Sequence, residues 1–135
     1  MNLELTKNEL RHLLDMVYIG NWILNSTREN DIFINYQLLQ EKIFALAAQN
    51  GMPELAVGFM GHTLPSKAYE DGGIHDAIAE YEDSVFFDIL AEELSRRDMN
   101  RLGISAEDYT ELGTRIDCYM SEFEQNGLER LNLEP

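Results

Sequence analysis

Three histidines, one cysteine and 25 acidic residues supply most of the chemistry this 135-residue chain could carry out. Glu9-Leu10-Arg11-His12 has E-x-x-H spacing, which on a helix sets a carboxylate and an imidazole one turn apart, as in carboxylate-bridged dimetal bundles. Such a centre needs a second E-x-x-H and inward Glu residues from two further helices, and there is no second copy here. Thr6-Lys7-Asn8-Glu9 also has the form of a capping box, which already employs Glu9. The motif therefore reads as a solvated first turn.

His62 and His75 flank a glycine-rich stretch, with Asp76 and Glu80 close behind. Imidazoles and carboxylates together can hold a divalent cation, so His62, His75, Asp76 and Glu80 are the candidate metal ligands. A spacing of thirteen positions from one histidine to the other fits no familiar ligand pattern, however. Asp76 at a helix start would stabilise the positive end of the helix dipole, and capping accounts for it better than a metal does. An enzyme or small-molecule binder using a pocket near His62, His75 and Tyr69 is the related alternative reading. No cofactor is expected.

Nucleophilic catalysis finds little support. Cys118 lies between Asp117 and Tyr119 on a helix, and an acidic neighbour raises a thiol pKa rather than lowering it, so it reads as a packing residue. Ser66 and Ser84 lack a nucleophile-elbow context. Gly58-Phe59-Met60-Gly61 and Gly72-Gly73 follow no apolar strand and form no phosphate loop. The chain reads as a non-enzyme.

Charge narrows the partners. Ten basic residues against 25 acidic ones leave a net charge of -15, which repels bare nucleic acid and anionic membrane surfaces. The charge is uneven: residues 1–50 carry six acids against four bases, a net of -2, and residues 51–100 carry eleven against three, a net of -8. Glu82, Asp83, Glu92 and Glu93 on one helix carry the alternative reading, an inhibitor of a basic protein that mimics nucleic acid. Arg96, Arg97 and Arg101 would neutralise part of that field. A lone cysteine, no apolar run long enough for a bilayer and no signal-like N-terminus give the expectation of a cytoplasmic protein.

The elements that must position these residues are helical. Apolar residues recur three and four apart, which predicts an all-α single domain over 1–135, a bundle of about four helices near 6–25, 32–50, 75–101 and 105–126. The third could break near Glu82-Asp83-Ser84, and Ser105 to Asp108 predicts a capping box for the fourth. Between helices two and three, five of nine glycines and two of three prolines fall in residues 51–73. A helical turn over Pro53–Phe59 followed by irregular chain is expected there. Leu14, Leu39, Ile43, Phe86, Leu90, Ile116 and Phe123 are the expected core, and Leu128, Leu131 and Leu133 a tail that packs on a helix.

The first helix is apolar on most sides from Val17 onward, and such a helix needs cover on both sides. The expectation is association with a protein partner, including a homodimer contacted through Tyr18, Ile19, Trp22 and Ile23.

Overall fold

The computed structural model describes residues 1–133 and is predominantly helical. Contacts divide the chain into two compact units, Met1–Ile78 and the segment from Ala79 onward.

The first unit opens with α1, Lys7–Asn25. Its start is the capping box expected from the sequence: the Glu9 amide donates to Thr6 Oγ1 at 3.2 Å, and the Thr6 amide donates to the Glu9 carboxylate at 2.7 Å. Leu10, Leu14 and Tyr18, four apart, form its buried ridge. The connection to α2, Ile34–Gln49, is fastened by Asn25, whose side chain accepts from the Phe33 amide and donates to the Phe33 carbonyl. Gly51, at φ 88°, ends α2 in a conformation that glycine adopts without strain.

Beyond α2 the structure departs from expectation. The helical turn stops at Leu55, and Ala56–Phe59 (β1) pairs antiparallel with His62–Pro65 (β2), setting Val57 opposite Leu64 and Phe59 opposite His62. The two-residue turn Met60-Gly61 has positive φ at both positions, 48° and 80°, the twist that suits a tight hairpin. One helical turn, α3 (Lys67–Tyr69), is capped by Ser66 and runs through a π-type segment, Glu70–Ile74, into α4, His75–Arg101. Gly73, at φ 110°, is non-helical and kinks the chain ahead of α4, so Asp76 lies in the first turn of α4, at the positive end of the helix dipole as the sequence reading expected. α4 is unbroken at Glu82-Asp83-Ser84.

The core of this unit joins Leu10, Leu14, Tyr18, Phe44, Ala47, Met52, Tyr69 and Ile74. Here lies the main correction to the sequence reading. α2 buries Gln40, Phe44 and Ala47, whereas Leu39, expected inside, is 50% exposed. Ile43 is half-buried against the core. At about 100° per residue, the buried face is rotated by roughly a third of a turn from the stripe Tyr36, Leu39, Ile43 and Leu46. Phe44 explains the choice. It meets the Tyr69 ring edge-on at 4.8 Å, and a buried aromatic pair outweighs a leucine on a helix that is apolar on most sides.

In the second unit α4 packs on α5, Tyr109–Asn126, through Ala91, Leu94 and Phe123, flanked by Phe87, Leu90, Ile116, Tyr119 and Met120. Leu90 and Ile116 are half-buried rather than buried, and Phe86 is exposed. Asp108 caps α5, its carboxylate accepting from the Glu111 amide at 3.0 Å, while the Ser105 hydroxyl accepts from Glu107 instead. Leu128, Leu131 and Leu133 are exposed, not packed as a tail.

Candidate functional site

Two features of the first unit stand out. One is a ring of polar and aromatic groups that joins α1 to the start of α4. Tyr18 Oη and His75 Nε2 lie 2.7 Å apart, and the His75 ring meets the Trp22 ring edge-on at 5.0 Å. Beside them the Tyr69 hydroxyl donates to Asp15 Oδ1 at 2.8 Å, and Arg11 donates to the same oxygen at 2.6 Å with its guanidinium 5.1 Å from the Tyr69 ring. Burial pushes the Tyr69 phenol far above its ordinary value, with the Asp15 bond and charge adding to it. Burial and the charge of Glu70 push Tyr18 up as well. Both phenols stay protonated near neutral pH and hold neighbours in place.

The sequence-derived metal group separates in space by partner. His62 faces Glu41 of α2 at 3.0 Å, whereas His75 faces Tyr18. Asp76 and Glu80 are exposed on α4. Among the described residues no group of three or more His, Cys, Asp or Glu side chains gathers as a metal site would require. Glu9 is held in its capping box. The backbone and side chain of Thr6 keep its carboxyl below the usual range. Cys118 is exposed rather than packed.

The acidic helix is likewise interrupted. Glu92 is paired with Arg96 at 2.8 Å, and Asp98 accepts from Tyr119 and from Arg97. A cavity of about 130 Å³ near the end of α4 is lined by Arg96, Met99, Asn100, Ile104 and Ala106. Its one charged group, Arg96, is engaged with Glu92.

The second feature is the uncovered side of α2. Tyr36, Leu39 and Leu46 are all exposed, with half-buried Ile43 at their edge, and they form one stripe at spacings of three and four. Phe33 extends it by a turn, its ring meeting Tyr36 edge-on at 6.3 Å and the Arg28 guanidinium lying over it 4.1 Å from its centroid. Of the residues expected at an interface, Tyr18 is buried in the chain's own core. Ile19 and Trp22 are partly covered by that core, and Ile23 is 64% exposed. Of the first two helices, α2 leaves more large apolar residues exposed than α1: Ile34, Tyr36, Leu38, Leu39 and Leu46 against Met16 and Ile23. The signal was legible as the stripe itself, but assigned to the interior.

Comparison with protein-family models, curated proteins and solved structures gave no match. No helix among the described residues is long and apolar enough to cross a membrane.

Proposed function

We propose that this chain is a non-enzymatic protein-association module whose contact surface is the stripe of Phe33, Tyr36, Leu39, Ile43 and Leu46. The observation that carries this reading is the mismatch on α2: a helix apolar on most sides is covered by its own chain on one side only. Contiguous apolar surface of that kind on a folded domain is cover waiting for a partner. Aromatic residues at one end of the stripe suit the anchoring role they have in protein interfaces. The hydrogen-bonded ring around Tyr18, Tyr69 and His75 supports this surface indirectly. Tyr69 also packs on Phe44, and so fixes the rotation of α2 that leaves Leu39 outside.

The test is a photo-reactive benzoylphenylalanine at position 39, irradiated in the native host, with the same group at exposed Glu93 as control. Covalent protein adducts at 39 and none at 93 are expected. Absence of any protein adduct at 39 would overturn the reading.

A further inference from the structure

We infer that the partner seated on this stripe is a second copy of the chain, with the two α2 helices antiparallel across a two-fold axis. The inference rests on the association reading above and names its occupant. Three observations carry it.

The first is pattern. A two-fold contact uses one patch twice, so the patch must complement itself. The stripe steps from 36 to 39, 43 and 46, spacings of three, four and three, and reads the same in either direction. Antiparallel pairing sets Tyr36 opposite Leu46, and Leu39 opposite Ile43, of the second copy. A large ring then meets a smaller branched chain at each end, and two branched chains meet at the centre.

The second is charge. In a chain of net -15, α2 holds one acid, Glu41, and one base, Lys42, and Glu41 already faces His62 at 3.0 Å. Two acidic chains meet with least repulsion where each is neutral. Charges elsewhere are screened over about 8 Å at physiological salt.

The third is area. The exposed halves of Phe33, Tyr36, Leu39 and Leu46, with the edge of Ile43, offer about 100 Å² apiece, since a whole large side chain presents ~150–250 Å². Two copies together bury on the order of 1,000 Å², the lower bound for a specific contact. The dimer is accordingly reversible and dissociates on dilution.

Light scattering of the purified full chain across the micromolar range tests this directly. The mass should rise with concentration towards twice the 15.5 kDa of one chain. Leu39→Lys with Leu46→Lys should hold it at one chain while the helical circular dichroism stays. Orientation is read by disulfide trapping on a Cys118→Ser background. A mixture of Leu39→Cys and Ile43→Cys chains should give mainly the mixed disulfide. Predominant like-with-like disulfides, or a dimer indifferent to the double lysine variant, would overturn the antiparallel pairing. A wild-type monomer throughout would overturn self-pairing. In that case adducts with other proteins from position 39 leave the association reading standing, and no adducts at all remove both.

Discussion

The hydroxyl of Tyr18 on α1 and Nε2 of His75 at the start of α4 are 2.7 Å apart, a bond spanning 57 residues of sequence. It joins the middle of the first helix to the point where the π-type segment, with Gly73 at φ 110°, turns into α4. The Trp22 ring is stacked on the same Tyr18 at 6.2 Å and is the chain's one tryptophan, so its emission reports on this junction.

Tyr18→Phe keeps the ring in the core and removes only the hydroxyl. His75 is half-buried and can turn to water, so the loss is that of one net hydrogen bond, about 0.5–1.5 kcal/mol. Urea melts followed by Trp22 emission should show the midpoint fall with the slope unchanged. A variant as stable as the wild type would mean that the bond contributes nothing to the fold.

The two sides of α2 should respond very differently to truncation. Phe44 is 0% exposed, and Phe44→Ala should cost about 3–5 kcal/mol from lost transfer energy plus a cavity. Leu39→Ala in dilute solution should cost less than about 1 kcal/mol, the scale of a surface change. Chemical denaturation of the two variants measures both, and equal losses would place Leu39 in the core after all.

That contrast also marks what the sequence could disclose. α1 was legible because its determinants are local: Thr6 and Glu9 cap it, Leu10 and Leu14 repeat along one side, and polar residues hold the other side of its first half. α2 was legible as a helix but not in its rotation, because apolar residues surround it and no local rule ranks Phe44 over Leu39. That ranking depends on Tyr69, 25 residues further on, and it even draws Gln40 inside, where Oε1 has no hydrogen-bond partner among the described residues. The hairpin was missed because Met60-Gly61 lacks the Asn-Gly or Asp-Gly signature of such turns. His75 was singled out as a candidate metal ligand, and its partner in the structure, Tyr18, is distant in sequence and invisible to spacing arguments.

Acid should destabilise the second unit through Asp98. Burial acts to raise its carboxyl, but hydrogen bonds from Tyr119 and Arg97 and the charges of Arg97 and Arg101 together outweigh burial and hold it below the ordinary value. The folded state therefore prefers the ionised form. Its contribution is complete above the unfolded value of about 4 and is lost as pH falls through the lower folded value. Asp98→Asn should flatten the decline of stability below about pH 4, measured by thermal melts across an acid series. At the alkaline end the raised Tyr18 and Tyr69 work in the opposite sense. Their contribution is lost as pH climbs beyond about 10, where the unfolded phenols ionise first.

Met60, at the tip of the hairpin, holds φ at 48° and is 85% exposed. A side chain with a β-carbon in this left-handed region costs roughly 1–2 kcal/mol, and asparagine tolerates it best after glycine. At 85% exposure Met60 buries little apolar surface that could offset this cost within its own chain. Met60→Asn creates the Asn-Gly pair preferred in two-residue hairpin turns, and should raise stability by about 0.5–1 kcal/mol with no change in the α2 contact. Differential scanning calorimetry would register this as an upward shift of the melting temperature of a few degrees. A fall in melting temperature would instead show that the methionine side chain is held by a contact worth more than the strain.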